Sequence, residues 1–240
     1  MELLERLKKT LKLHGLEYKV IVIDDNSPDG TADAVKQWAR DNKDTCVEFI
    51  VRKGKKGLGS AILLGLKKAL QDPDAEYFVT MDADLSHRPE DLPLMIKYAR
   101  EAEVVQGSRY VKGGRVIGWG FHRHIISKTA NILIRLLYRT GIKDNTSNYR
   151  VYNRRAVEAL IKYADAQSYE WAIESILIPI ACGYRVVESP IVFINRTRGK
   201  SKLSLGDIIR WWIHIVGFKN KFNEIKKSCA EIDSSKPKVS

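Results

Sequence analysis

Apolar and polar positions recur with two different periods along this chain, and each change of period marks a new element. Leucines at positions 3, 4, 7, 11 and 13 recur among charged residues. That is the spacing of an amphipathic helix over 2–14, and Gly15 stops it. Tyr18 to Ile23 is a short Val/Ile-rich run, which predicts a buried strand. The turn formers Asp24-Asp25-Asn26-Ser27-Pro28-Asp29-Gly30 follow, then a helix over about 31–43, with Thr31 or Asp29 near its cap. Val47 to Val51 predicts the next strand, Gly54 to Gly59 a glycine- and lysine-rich loop, and 60–70 a helix. A strand over 76–82, a helix over 90–101 opened by Arg88-Pro89-Glu90-Asp91, and a strand from Val104 to Gly107 complete the first half. Strands that alternate with helices in this way predict a parallel sheet covered on both faces.

The second half is patterned differently. Residues 111–123 read as a glycine- and arginine-bearing loop, and 124–139 as a helix in which Ile and Leu are broken by Lys128, Arg135 and Arg139. A polar stretch from Asp144 to Arg150 leads into a new element at Val151-Tyr152. Helices over 154–163 and 170–182, a strand over 184–194 and a helix over 204–222 follow. The last segment, 223–240, ends in Ser, Lys and Pro and reads as a flexible tail. The expectation is one large α/β domain over 1–222.

Charge changes this picture. The chain of 240 residues has 41 basic and 29 acidic side chains, a net charge of +12. Such an excess points to an anionic partner. Nucleic acid is disfavoured, because no aromatic-and-basic recognition motif is present and the acidic pairs would repel its backbone. Cys46, Cys182 and Cys229 lie far apart, have no metal spacing and cannot all pair, so they read as reduced structural thiols. No run of about 18 apolar residues predicts a membrane-spanning helix, and the charged start is unlike a signal peptide.

The candidate chemistry sits where Tyr77-Phe78-Val79-Thr80-Met81 runs out into Asp82-Ala83-Asp84. In an extended chain the two carboxylates share a face and repel, so they call for a counter-charge. A hard divalent cation, Mg²⁺ or Mn²⁺, suits them; it takes one or two protein carboxylates and fills its shell with water and substrate phosphate. Ligands of open α/β sheets bind beyond the carboxyl ends of the strands. Asp24-Asp25, Asp82-Asp84 and Ser108-Arg109 all follow strands, so all three converge on that edge.

In their order, Asp24-Asp25-Asn26-Ser27-Pro28-Asp29-Gly30-Thr31, Gly57-Leu58-Gly59, Met81-Asp82-Ala83-Asp84-Leu85-Ser86-His87, Gly107-Ser108-Arg109-Tyr110 and Arg196-Thr197-Arg198-Gly199-Lys200-Ser201-Lys202 resemble the dolichol-phosphate mannosyltransferases of glycosyltransferase family 2, over about residues 1–222. The resemblance implies a GT-A type, Rossmann-like, mostly parallel sheet flanked by helices. It implies inverting transfer of mannose from GDP-mannose to dolichyl or polyprenyl phosphate. Carried across, Asp82 and Asp84 would bind Mg²⁺ or Mn²⁺ and the diphosphate, with Ser86 beside them and Asp25 at the nucleotide. Arg109 and Arg123 would face the acceptor and donor phosphates. Arg196 and Lys202 would close over the diphosphate, and Asp144 and Arg150 would line the site. A related enzyme using UDP-glucose or a UDP-N-acetylhexosamine, and a non-catalytic relative that only binds, are the alternatives.

Two further expectations concern the membrane and the first strand. The helices over 124–139 and 204–222, for which capping of the domain core is the alternative, mix Ile, Leu and Trp with basic residues, as in-plane interfacial helices do. That implies peripheral attachment to the cytoplasmic face of a membrane, or a small membrane-anchoring subunit. Relatives also begin with a strand that lies centrally in the sheet, whereas Met1 here falls inside the helix that follows it. An upstream start or a shortened paralogue would explain this, and either way an open slot is expected beside strand 18–24.

Overall fold

The computed structural model describes residues 1–28, 30–42, 46–54, 57–195 and 205–235. Helix α1 (Glu2–Leu13) precedes β1 (Val20–Asp24), α2 (Thr31–Asp41), β2 (Val47–Val51), α3 (Leu58–Ala69) and β3 (Tyr77–Thr80). A short 3₁₀ turn leads into α4 (Leu92–Ala99), then β4 (Val104–Ser108), β5 (Arg115–Ile117) and α5 (Phe121–Tyr138). The chain continues through β6 (Arg150–Asn153), α6 (Arg154–Tyr163), α7 (Trp171–Ala181), β7 (Val186–Pro190), β8 (Val192–Ile194) and α8 (Leu205–Ser235).

The central sheet has the order β3-β6-β4-β7. The β4–β7 pair is parallel, but β6 runs antiparallel to both its neighbours. Residues of successive register go to opposite faces. Val104 and Tyr152 join the core built with α6, α7 and α8, while Val105 and Val151 join the one built with α4 and Leu11 of α1. Apart from this sheet, β1 pairs in parallel with β2, and β5 with β8. Among the described residues β1 bonds only β2, and β3 bonds only β6. No strand bridges β1 and β3, as the expected slot requires, and α3 packs against both.

The structure departs from the sequence reading in four places. The strand expected over 184–194 breaks at Ile191, so β7 stays in the central sheet while β8 leaves it to pair with β5. The loop expected over 111–123 thereby contains a strand, whose three residues are too few to carry an alternating pattern. The flexible tail expected from 223 is instead helical as far as Ser235, because Phe222 and Ile225 extend the buried stripe of α8 into the α7 core; residues 236–240 lie outside the described residues. Cys182 and Cys229, read as reduced thiols, form a disulfide between the end of α7 and α8, and Cys46 is the free thiol. Sequence separation hid the pair, since only the packing of α8 along α7, with His214 against Glu174 and Cys229 against Cys182, brings it together.

The two helices expected at a membrane surface differ. On α5, Phe121 (81% exposed), Ile125, Ile132 and Leu136 (72%) face solvent. These four positions fall within about 60° of one another around an α-helix, beside exposed Lys128 and Arg135. On α8, Ile213 and Val216 are exposed, but Trp211 and Trp212 pack partly buried against the core. Among the described residues, no helix is long and apolar enough to cross a membrane.

Candidate active site

The site begins where the β3 ladder stops. Thr80 is the last residue of β3 paired with β6, opposite Arg150. Beyond it, residues 82–87 fold into a tight loop closed by two hydrogen bonds. The Asp82 N–H donates to His87 Nδ1 at 3.1 Å, and the Ser86 N–H donates to Asp84 Oδ1 at 3.0 Å. The loop turns at Leu85, held in the left-handed region at φ 65°, where a non-glycine residue is strained. This turn keeps both carboxylates at the mouth of the sheet. Ser86 and His87 fill the space beneath, each almost wholly buried. The Ser86 Oγ and His87 Nε2 are buried without a hydrogen-bond partner among the described residues.

His87 stacks on Tyr149 with centroids 5.0 Å apart and packs nearly perpendicular to Phe193, with centroids 5.5 Å apart. Burial pushes its pKa down, against the pull of the Asp82 charge. Because Nδ1 accepts from the Asp82 N–H, Nε2 is the ring nitrogen that carries the proton.

Arg109, the residue after β4, is buried beside this loop. Its Nε and Nη2 donate to Asp144 Oδ2 and Oδ1, each at 2.7 Å, and its backbone N–H donates to Oδ2 at 2.9 Å. Nη2 also donates to Thr146 Oγ1 at 2.6 Å. Burial raises the pKa of the Asp144 carboxyl, but the Arg109 charge and these hydrogen bonds outweigh it and hold the group below the usual carboxylate range. Aromatic rings surround the guanidinium, with Trp119, Tyr110 and Phe193 at 5.1, 5.4 and 5.5 Å from their centroids. Arg123, in the first turn of α5, packs against the same Trp119. Its guanidinium is 4.2 Å from the Trp119 centroid, and its Nη1 donates to Asn195 Oδ1 at 3.0 Å. Asn195 immediately precedes the segment that carries Arg196 and Lys202, which lie outside the described residues. The Ile194 N–H donates to the Ser86 carbonyl, so β8 is tied directly to the carboxylate loop.

The expected residues therefore fall into two groups. Asp82, Asp84, Ser86, Arg109 and Arg123 converge through Phe193 and Trp119. Asp25 stands on the separate β1–β2 pair, across the slot, and is held by Arg52, whose Nε donates to Asp25 Oδ1 at 2.5 Å. The guanidinium of Arg52 also reaches Ser60 Oγ at 2.7 Å and the Gly57 carbonyl at 3.0 Å, which joins Asp25 to the glycine loop. That loop lies close under residues 166–168: a Cβ on Gly57 would stand 2.3 Å from the Gln167 carbonyl oxygen. Arg150 does not reach the site surface. It is wholly buried and bonds Gln106, Ser175 and the carbonyls of Asn145 and Ala172, tying the sheet to α7.

Sequence reasoning gave no role to Arg52, His87, Trp119 or Phe193. Arg52 carried a usable signal, since it follows a strand on the ligand edge as Arg109 does. Trp119, a large aromatic between Gly118 and Gly120, carried a weaker one. Phe193 carried none, because its place depends on β8 leaving the central sheet.

Asp82 and Asp84 fit a divalent cation as partial ligands. Among the described residues no group of three or more His, Cys, Asp and Glu is placed to cage a metal. Two carboxylates beside the unpartnered Ser86 hydroxyl leave most of a coordination sphere for water and phosphate, the arrangement Mg²⁺ adopts.

Residues 2–161 match the glycosyl transferase family 2 pattern. The chain is 35% identical to the undecaprenyl-phosphate mannosyltransferase of Micrococcus luteus, over 81% of this chain and 82% of that one. It is 39% identical to the polyprenol monophosphomannose synthase of Mycolicibacterium smegmatis, over 79% of this chain and 71% of that one. The fold matches the crystal structure of glucosyl-3-phosphoglycerate synthase from Mycobacterium tuberculosis with Mn²⁺, UDP and phosphoglyceric acid. There the TM-score is 0.64 at 13% identity, covering 92% of this chain and 74% of that one. The architecture is thus of GT-A type, a sheet flanked by helices with its ligand edge at the strand ends. The chain belongs to glycosyltransferase family 2.

Proposed function

We propose that this chain transfers mannose, with inversion, from GDP-mannose to a polyprenyl phosphate of the dolichyl or undecaprenyl kind. The observation that carries the reading is that three acid–base groups around the Asp82–Asp84 pair are each committed to a partner. Asp144 is held by Arg109, Asp25 by Arg52, and the acceptor nitrogen of His87 by the Asp82 N–H. A sugar hydroxyl acceptor would need a general base, whereas a phosphate monoester is already anionic and needs only positioning and charge neutralisation. The relative at 35% identity is named for mannosyl transfer with undecaprenyl phosphate and the one at 39% for synthesis of polyprenol monophosphomannose, and both support the same acceptor class.

In this reading an acceptor phosphate oxygen attacks the anomeric carbon while the bond to the diphosphate breaks. Asp82 and Asp84 would hold Mg²⁺ or Mn²⁺, with Ser86 beneath them. When bound, the metal supplies Lewis-acid stabilisation of the departing nucleoside diphosphate. Arg123, stacked on Trp119, presents cationic donors to phosphate oxygens, while the Arg109–Asp144 pair fixes the wall behind it. Arg196 and Lys202 would add charge from the segment after β8, and Asp25 with Arg52 would meet the nucleoside. The apolar stripe of α5, flanked by Lys128 and Arg135, is suited to lie in an anionic membrane surface where a polyprenyl chain is dissolved.

A binding titration tests the donor half. GDP, UDP and GDP-mannose are titrated calorimetrically into the full chain with Mn²⁺ or with EDTA. The reading expects metal-dependent binding of the guanine nucleotides in preference to UDP. Preference for UDP would move the donor to a UDP-sugar, and absence of any nucleotide binding would favour the non-catalytic relative.

A further inference from the structure

His87 is the one wholly buried imidazole at the site, and the transfer reaction as derived leaves it without a task. Its neighbours define what it does. Nδ1 accepts the Asp82 N–H, the ring stacks on Tyr149, and it packs nearly perpendicular to Phe193 of β8. Tyr149 is itself anchored, with its hydroxyl donating to the Arg88 carbonyl at 3.1 Å. The ring therefore cannot rotate without displacing two packed aromatics, and its acceptor nitrogen stands at a fixed place under Asp82. Past Thr80 no sheet partner holds the backbone of residue 82, so this single hydrogen bond sets the peptide plane from which the Asp82 side chain departs.

We propose that His87 is a positioning residue that orients Asp82 for divalent-cation binding, through Nδ1 acceptance of the Asp82 N–H. The inference rests on the reading of Asp82 and Asp84 as metal ligands. It goes beyond that reading by assigning the metal's affinity to a residue that does not touch it. Groups that orient ligands from behind typically change metal affinity by about 10–100-fold when lost. Asn can place an amide oxygen where Nδ1 stands, Gln places its amide nearer the Nε2 position, and Phe keeps the ring and removes the acceptor.

The test measures Mn²⁺ binding by electron paramagnetic resonance on the full chain with saturating GDP, for wild type, H87N, H87Q and H87F, with thermal unfolding of each. The expected result is a Mn²⁺ Kd raised about tenfold or more in H87F and H87Q, and within about threefold of wild type in H87N. Equal Kd values in all four proteins, with only the thermal midpoints lowered, would overturn the proposal and leave His87 as packing. Equal weakening in H87N and H87Q would overturn it as well, and that comparison decides the matter if H87F does not fold. Failure of wild type itself to bind Mn²⁺ would instead remove the metal reading of Asp82 and Asp84, a distinct outcome.

Discussion

Replacing Asp144 by alanine should be among the most damaging single changes outside the aliphatic core. The carboxylate is fully buried and the Arg109 side chain is 5% exposed. Asp144 receives two guanidinium bonds at 2.7 Å and one backbone bond at 2.9 Å from that residue. Alanine leaves the guanidinium buried without its counter-charge, a situation that costs about 3–5 kcal/mol. Against a total stability of about 5–15 kcal/mol for a domain, that is a large fraction. With a urea dependence of about 3 kcal/mol per molar, the unfolding midpoint should fall by about 1–1.7 M. Tryptophan fluorescence in urea reads the change directly.

The pH dependence gives the same experiment a second edge. The folded-state pKa of Asp144 is depressed, so the stability it contributes is fully present above its unfolded value of about 3.9 and is lost as pH falls through the folded value. The stability gap between wild type and Asp144→Ala should therefore narrow as the pH drops below about 4. The double variant Arg109→Met/Asp144→Leu should be less destabilised than Asp144→Ala, because no charge is then left buried alone. A loss under about 1 kcal/mol, the scale of an exposed pair, or a gap that does not change with pH, would refute the buried pair.

Three other outcomes follow from the packing. Thiol titration of the denatured, unreduced protein should find one free thiol, Cys46, and Cys229→Ser should lower stability by about 2–4 kcal/mol; three titratable thiols would contradict the link between α7 and α8. Gly57→Ala should cost about 1–3 kcal/mol, since the added methyl would stand 2.3 Å from the Gln167 carbonyl oxygen on backbone already at φ 88°; unchanged urea unfolding would show that the loop does not lie on residues 166–168. Phe121→Ser/Leu136→Ser should reduce flotation with vesicles rich in anionic lipid while leaving the thermal midpoint within about 1–2 °C, because both side chains are exposed; flotation equal to wild type would remove α5 from the membrane contact.

Much of this molecule was legible in its residues for a physical reason. The elements of the first half are local, each set by its own period and turn formers, so β1 through β4 and their helices fall close to where the pattern puts them. The convergence of Asp82, Asp84 and Arg109 was also legible, because strand ends on an α/β sheet share an edge whatever the strand order. What was not legible depends on contacts far apart in the chain. The reversal of β6 is set by its fit between β3 and β4, and nothing in Arg150–Asn153 states a direction. The inward turn of Trp211 and Trp212 depends on the face α8 shows to α7, so composition alone read them as interfacial. The family resemblance put Arg150 in the lining of the site, yet its side chain is buried on Gln106 and Ser175. The commitment of Arg109 to Asp144 likewise needed the approach of residues 35 positions apart.

The most direct test of the account is a transfer assay with GDP-[¹⁴C]mannose and undecaprenyl phosphate in anionic lipid vesicles. It compares the full chain with its Asp84→Asn variant, each in Mn²⁺ and in EDTA. The account predicts label in the organic phase for wild type in Mn²⁺ alone, with the variant and the chelated samples lower by a factor of at least about 100, the size of effect expected when charge stabilisation of the leaving group is lost. Label that forms equally in EDTA, or that survives Asp84→Asn, would contradict the assignment of Asp82 and Asp84. No label under any of these conditions would contradict the proposed transfer itself.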